Sequence, residues 1–262
     1  GSKRGSKTRI GSSLEPKMTV YLQKVGGEFH NINTFTAWQG FIERGAHVEF
    51  FAAAELESLP ISSETPVVAG IPIVQRALRL LGCEVPQFNA IPAELLPFAG
   101  RKLWQSTLGE VRAHVQDELK PIFLKPLPEN HKLFGGHVVA RFRDLIETAG
   151  IDPKTPVSCS QAVEFASEYR GFVHRGELVG CKHYAGDFRV FPDFSVAESA
   201  LSGWKEAPVA CSMDWGVTRD GRTLLIEIND AYSLGCYGLS AHLYAPMLAD
   251  RWFEMTGSNA RA

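Results

Sequence analysis

Residues 212–230 read SMDWGVTRDGRTLLIEIND, two runs of alternating apolar and polar residues on either side of an Asp-Gly turn signal. This pattern predicts a β-hairpin. If Asp220 and Gly221 form a two-residue type I′ loop, counting back along both strands places Asp214 directly opposite Glu227. The hairpin therefore predicts two carboxylates side by side on one face of a sheet.

An amide joins these carboxylates, because period-two alternation puts Asn229 on the face of Asp214 and Glu227. The same alternation points Leu224, Ile226 and Ile228 to the other face, into a core. Like charges directly opposite destabilise paired strands, so the cluster requires a cation or a proton. Mg²⁺ prefers such oxygen ligands together with nucleotide phosphates and water. The alternative is a solvated hairpin, and a register slip of one residue would separate the two carboxylates.

Composition indicates a globular protein of one compact unit or two closely packed lobes: 262 residues, 45% hydrophobic and 21% charged. A net charge of −2 gives no overall attraction to nucleic acid or anionic membranes. Five scattered cysteines without CxxC pairing favour a reducing compartment. With no apolar run of roughly 18 residues and no leader pattern, we expect a cytoplasmic protein. Residues 1–17, rich in Gly, Ser and Lys, are predicted to be a tag or a disordered leader.

Two regions follow this leader. Residues 18–95 alternate short apolar runs with helical pattern, which predicts a small α/β domain with a parallel sheet on the substrate side. Gly45 and Gly82 stand where its helices should stop. Residues 96–262 form the second region, in which residues 137–150 are predicted to be a helix, followed by two hairpins and a last helix.

Cations precede the acidic hairpin. Lys125 ends the apolar strand FLKP, from which it can reach a phosphate, although an ordinary surface lysine has the same appearance. Lys132 is followed by Gly135 and Gly136, a loop whose N–H groups can close over phosphate oxygens. Arg170 and Lys182 are expected to lie about opposite each other on the first hairpin. The alternative for Arg170 is a structural pair with Glu168.

Read in order, FLKP, KLFGG, VSCSQAV, EYRGFV and D…LIEIN resemble the ATP-grasp superfamily, in particular a clade marked by arginines and a lysine. The resemblance covers about residues 96–256 and implies an α+β fold with two β-rich lobes clasping ATP, preceded by the small α/β domain. It implies that Asp214, Glu227 and Asn229 hold Mg²⁺, and that Arg170 and Lys182 stabilise charge on the transferred phosphoryl group. The residues it implies for ATP binding are Lys125, Lys132, Gly135, Gly136, Ser160, Val163, Glu164 and Glu168.

Within that set, residues 158–164 would be the hinge that meets adenine, and either Glu164 or Glu168 would reach the ribose hydroxyls. The clear departure from the family pattern is a missing second nucleotide lysine before FLKP, for which Lys102 is the nearest candidate.

The implied activity is that of an ATP- and Mg²⁺-dependent ligase that joins a carboxylate to an amine through an acyl-phosphate. Its partners would be ATP, an acid and an amine such as an amino acid or a peptide, without membrane or nucleic acid. The alternatives are a small-molecule kinase on the same fold and a nucleotide-binding module without catalysis. The identity of the acid and the amine and the oligomeric state, with a dimer open, are not encoded in any motif of this sequence.

Overall fold

The computed structural model describes residues 18–86, 91–116, 120–127 and 133–258. Its strands form three sheets, each of four strands. Mixed helices and sheets confirm the predicted α+β class. The predicted leader, residues 1–17, lies outside the described residues. The helices are α1 (Ile32–Glu43), α2 (Ile71–Leu80), α3 (Leu96–Ala99), α4 (Leu108–Gln116), α5 (Phe194–Gly203) and α6 (Ala241–Thr256).

The first sheet is mainly parallel, as the sequence predicts. It contains β1 (Thr19–Val25), β2 (Glu28–Phe29), β3 (His47–Phe51) and β4 (Val67–Val68). Strands β3 and β4 run parallel to β1, and β2 closes a short antiparallel hairpin with it. Helix α1 begins at a capping box, in which Asn31 and Thr34 each accept a bond from the other's backbone N–H. Gly45 and Gly82 have φ values of +78° and +70° just beyond α1 and α2, which confirms the predicted helix stops.

Helix α6 packs against α1 of the first region. The approach is close because Gly40 of α1 faces the carbonyl oxygen of Ala241, where a β-carbon would collide. The resulting core contains residues from both ends of the chain, among them Leu22, Phe41, Tyr244 and Trp252. The predicted division into domains 18–95 and 96–262 stays a prediction, because this core has members on both sides of it.

The second sheet is antiparallel, with strand order β5-β8-β6-β7. Its strands are β5 (Leu103–Thr107), β6 (Ile122–Pro126), β7 (His137–Val139) and β8 (Pro156–Gln161). Lys125 lies on β6, the central position next to β8.

The helix predicted over residues 137–150 is wrong. Residues 137–139 pair with β6 as strand β7, and a 3₁₀ helix follows over Phe142–Thr148. Val139 and Leu145 are buried, but Val138, Phe142 and Ile146 of the predicted apolar face are exposed. Strand pairing with a neighbour overrides the local helical pattern here, and the two β-branched valines fit a strand.

The third sheet is an antiparallel meander with strand order β10-β9-β11-β12. Its strands are β9 (Phe165–His174), β10 (Glu177–Gly186), β11 (Ala210–Thr218) and β12 (Thr223–Asp230). Arg175 and Gly176 both have positive φ between β9 and β10, as the predicted two-residue turn requires. Residues 162–164 connect β8 of the second sheet to β9 of the third. Among the described residues, no helix is long and apolar enough to cross a membrane.

Candidate active site

Four charged side chains form a row across the third sheet. Lys182 pairs with Arg170, Arg170 pairs with Asp214, and Asp214 pairs with Glu227, each on the neighbouring strand. Directly paired residues project to the same face of a sheet. The row therefore brings together the two predicted metal-binding carboxylates and the two predicted catalytic cations.

The predicted pairing of Asp214 with Glu227 is confirmed, but the predicted turn is not. Thr218 closes on Arg222, which leaves a loop of three residues instead of two. A β-bulge then shifts the register, since Asp214 pairs with Glu227 and the next pair is Trp215 with Leu225. The extra residue is Ile226, and it restores the pairing that the longer loop would displace.

The bulge also changes which apolar residues are buried. Leu225 and Ile228 belong to the core behind the sheet, whereas Ile226 is only partly buried. The predicted core face of Leu224, Ile226 and Ile228 is therefore correct for Ile228 and wrong for Ile226, because a bulge interrupts period-two alternation.

Arg170 and Asp214 form a buried bidentate pair. Arg170 donates from Nε and Nη2 to the two carboxylate oxygens at 2.8 and 2.7 Å. Both residues are buried, at 7% and 2% exposed. Burial raises the pKa of Asp214, and Arg170 opposes this shift without reversing it. The alternative pairing of Arg170 with Glu168 is not what the structure shows, since Glu168 instead bonds to Tyr184.

Glu227 joins the third sheet to the second. Lys125 of β6 places its Nζ 3.2 Å from Glu227 Oε2. Asn229 donates from Nδ2 to Glu227 Oε1 at 3.2 Å and to Asp214 Oδ2 at 3.4 Å. Burial raises the pKa of Glu227, but Lys125 and Asn229 outweigh it, and the pKa lies below the usual value. The carboxylate is about a third exposed, at 36%, so it remains accessible to a ligand.

Tyr237 covers the guanidinium of Arg170, a contact that sequence reasoning missed. Its ring centroid lies 4.2 Å from Arg170 Cζ, and a second ring, Tyr184, meets it at 5.6 Å. Tyr237 has a φ of +46°, a left-handed conformation that is unusual for an aromatic residue. The loop is held to α1, because Asn33 Oδ1 accepts the Cys236 N–H at 2.9 Å. The glycines around Tyr237 are the signal in the sequence for this turn.

Arg101 is a second residue that sequence reasoning missed. Its Nη1 donates to the carbonyls of Leu225 and Ala99, and its Nη2 donates to the carbonyl of Ile226. The partners on β12 lie more than a hundred residues away in sequence, so no local motif predicts them.

The predicted nucleotide residues occupy several elements. Ser160 is buried on β8, and Val163 and Glu164 lie in the connection between the second and third sheets. Glu164 is exposed and pairs with Arg219 at 2.5 Å. Gly135 and Gly136 precede β7, and a β-carbon on Gly136 would collide with the Phe123 ring. The remaining member of this set, Lys132, lies outside the described residues.

The donors at the carboxylates fit a magnesium ion. Two carboxylates and an amide are hard oxygen ligands, and the described residues contain no group of three or more His, Cys, Asp and Glu that would favour another metal. Asp214 has both oxygens bonded to Arg170, so Glu227 is the more accessible ligand. Exchange of the oxygen and nitrogen positions of the Asn229 amide would turn an acceptor toward the carboxylates. Such a partial set leaves coordination positions for phosphate oxygens and water.

Comparison with solved structures places this fold among known ATP-binding ligases. The ADP complex of purK, N5-carboxyaminoimidazole ribonucleotide synthetase, is 13% identical, covers 90% of this chain and 77% of its own, and has a TM-score of 0.63. D-alanyl-alanine synthetase A from Vibrio cholerae is 15% identical, with 93% and 99% covered and a TM-score of 0.58. The ATP-grasp ligase PsnB, complexed with minimal precursor, is 13% identical, with 89% and 99% covered and a TM-score of 0.53. At these identities the likeness shows the fold alone.

Comparison with curated proteins finds no match. A family model of the ATP-grasp domain, the second family of the clade named for its arginines and lysine, matches residues 98–247, which is more than half of the chain. This span includes the second and third sheets and every charged residue of the row. The chain belongs to this family of ATP-grasp domains.

Proposed function

We propose that the protein is an ATP- and Mg²⁺-dependent ligase that joins a carboxylate to an amine through an acyl-phosphate. The observation that carries the proposal is the row of Lys182, Arg170, Asp214 and Glu227, with Lys125 reaching Glu227 from the facing sheet. Phosphoryl transfer needs cations for the phosphate oxygens and carboxylates for the metal, and this row supplies both.

The first step of the proposed reaction forms a mixed anhydride. An oxygen of the acid attacks the γ-phosphorus of ATP, the bond from that phosphorus to the bridging oxygen breaks, and ADP leaves. Arg170 and Lys182 stabilise the charge that develops on the transferred group, because they project from rigid paired strands. Magnesium, when bound by Asp214, Glu227 and Asn229, supplies charge neutralisation of the phosphates.

The second step releases the phosphate. The amine attacks the acyl carbon, the bond from that carbon to the phosphate oxygen breaks, and an amide and inorganic phosphate result. Covalent attachment to the enzyme is not needed, so the protein contributes positioning and exclusion of water.

Nucleotide contacts complete the proposal. Lys125 would bind the α- or β-phosphate, and the loop containing Lys132, Gly135 and Gly136 would close over the triphosphate. The connection between β8 and β9, with Ser160 and Val163, would receive the adenine, since it joins the two sheets. Glu164 or Glu168 would bind the ribose. Of these two, Glu164 is the more exposed, although it is paired with Arg219.

The proposed place of action is the cytoplasm. All five cysteines are free thiols in the structure, including the buried Cys159, Cys211 and Cys236. Free thiols of this number suit a reducing compartment.

The test is calorimetric titration with ATP, with and without Mg²⁺. We expect magnesium-dependent binding that weakens in the Glu227→Gln variant, because this substitution removes the accessible carboxylate charge. The matched control is Glu198→Gln, the same change at an exposed position of α5. No binding to the parent protein under any condition would contradict the nucleotide site.

Turnover separates the ligase from a kinase. An amine requirement for continuous ADP release from an acid and ATP supports the ligase. Transfer of phosphate to a stable product without any amine would instead show a small-molecule kinase. Tight Mg–ATP binding with no turnover on panels of both substrate types would show a binding module.

A further inference from the structure

The pairing of the two carboxylates depends on an irregularity in β12. The loop between β11 and β12 is one residue longer than the tightest hairpin turn, and the bulge at Ile226 compensates for it. A shift of one residue in a strand moves its side chains to the opposite face of the sheet. Without the bulge, Glu227 would leave the face that carries Asp214 and Arg170.

A bulge takes backbone groups out of the regular ladder, and those groups need other partners. At this bulge, Arg101 provides them. It donates from Nη1 to Leu225 O at 2.7 Å and from Nη2 to Ile226 O at 3.0 Å, while Nη1 also bonds Ala99 O at 2.9 Å. The planar guanidinium thus spans two successive carbonyls immediately before Glu227.

The residue before Arg101 is fitted to the same strand. Gly100 ends α3 in the left-handed conformation, with φ of +58°, and a β-carbon there would collide with the Leu224 side chain. Close backbone approach at Gly100 and the guanidinium contacts of Arg101 are separate observations, and both fix the start of the second region onto β12. Burial lowers the pKa of Arg101 and nearby Glu227 opposes this shift, which agrees with their proximity.

We propose that Arg101 is a positioning residue for the carboxylate site: by binding the carbonyls of the bulge, it holds Glu227 in register with Asp214. The proposal rests on the proposed function for its consequence, since a displaced Glu227 would lose magnesium. Arg101 contacts neither the reacting atoms nor the metal, and it acts through the backbone of β12.

The test compares two arginines that bind backbone carbonyls. Arg101→Met removes the contacts at the bulge, and Arg112→Met removes similar contacts to Thr148 and Ile151 in the second region, away from β12. Both variants and the parent are titrated with Mg–ATP and with ATP in excess chelator, and their urea midpoints are measured. We expect Arg101→Met to weaken Mg–ATP binding by on the order of 10- to 100-fold, as for residues that orient metal ligands. Chelated ATP should bind Arg101→Met and the parent equally, and Arg112→Met should keep the parent's Mg–ATP affinity.

Arg101→Lys separates the carbonyl contacts from simple charge. Lysine keeps the positive charge but lacks the planar fork that spans two carbonyls, so binding should stay weakened. Lysine also carries the comparison if the methionine variant does not fold. Parent-like Mg–ATP affinity in Arg101→Met, or full restoration by Arg101→Lys, would overturn the proposal.

A second measurement distinguishes this proposal from the proposed function. If the parent does not bind Mg–ATP, the function fails, and amide hydrogen exchange still tests the role of Arg101. We expect faster exchange in β12 around Glu227 in Arg101→Met than in Arg112→Met. Unchanged exchange at β12 would show that the bulge does not need Arg101.

Discussion

The second and third sheets meet at the candidate active site, but they supply its charged groups in different ways. Arg170 and Asp214 of the third sheet are buried and bonded to each other through two hydrogen bonds. Lys125 of the second sheet is about a third exposed, at 35%, and makes one contact, to Glu227. The third sheet therefore holds its charges by internal pairing, whereas the second sheet offers a cation that a ligand can take. Stability and ligand affinity should separate along this division.

The largest expected effect breaks the buried pair of the third sheet. Arg170→Met leaves Asp214 as an uncompensated buried charge, and loss of one partner of a buried pair typically costs about 3–5 kcal/mol of unfolding free energy. Urea unfolding measures it, with Arg189→Met as the control, because Arg189 pairs with Asp187 on an exposed loop. That exposed pair should contribute at most about 1 kcal/mol. Equal losses in the two variants would contradict the division between the sheets.

The next effect concerns Lys125 and appears in binding. Lys125→Met should change the unfolding free energy by less than about 1 kcal/mol, since the pair with Glu227 is partly exposed. Mg–ATP affinity should nevertheless fall by about tenfold or more, the loss expected when one phosphate contact of about 1.4 kcal/mol is removed. Calorimetry and urea unfolding of the same sample test both halves. A large loss of stability without loss of affinity would assign Lys125 to the structural pairs instead.

The small stability effect of Lys125 should also depend on pH. The pKa of Glu227 in the folded protein lies below its ordinary value, with Lys125 the first of the groups that lower it against burial. A lowered carboxylate pKa contributes stability that is present above the unfolded-state pKa and is lost as pH falls through the folded-state pKa. The difference in urea midpoint between parent and Lys125→Met should therefore be constant near neutral pH and shrink below about pH 4.5. A difference that grows in acid would contradict this assignment.

Much of the third sheet could be predicted from the sequence, because its turns are local. The Arg175-Gly176 turn fixes how β9 pairs with β10, and alternation then places Arg170 and Lys182 together. The predicted pairing of Asp214 with Glu227 assumes a loop of the wrong length, and the bulge at Ile226 cancels the error. The charged row is thus readable from short-range pattern, while the bulge that supports it is not.

The parts that could not be predicted depend on contacts between distant segments. Arg101 binds carbonyls of β12, and residues 137–139 become a strand only because β6 offers them an edge. Tyr237 reaches Arg170 through a loop whose position is set by Asn33 of the first region. None of these partners lies within a helical or strand period of the residue concerned, so periodicity carries no signal for them.

The smallest expected effect sharpens the comparison within the third sheet. Ser212 of β11 is fully buried between Phe172 and Asn229, and its hydroxyl has no hydrogen-bond partner among the described residues. It is an exception to the internal pairing that holds Arg170 and Asp214. Ser212→Ala should raise the unfolding free energy by up to about 1 kcal/mol, because an unsatisfied buried hydroxyl is removed.

The matched control for this change is Ser167→Ala on β9. Ser167 is equally buried, but its hydroxyl donates to the carbonyl of Val190 at 2.6 Å. Its removal should lower the unfolding free energy by about 1 kcal/mol, so the two serine variants should move the urea midpoint in opposite directions. If Ser212→Ala instead destabilises the protein as much as Ser167→Ala does, the Ser212 hydroxyl has a partner, and internal pairing extends to every polar side chain on this face of the sheet. If it stabilises the protein but weakens Mg–ATP binding, the hydroxyl is kept for the ligand, next to Asn229, and the third sheet then shares the role assigned above to the second.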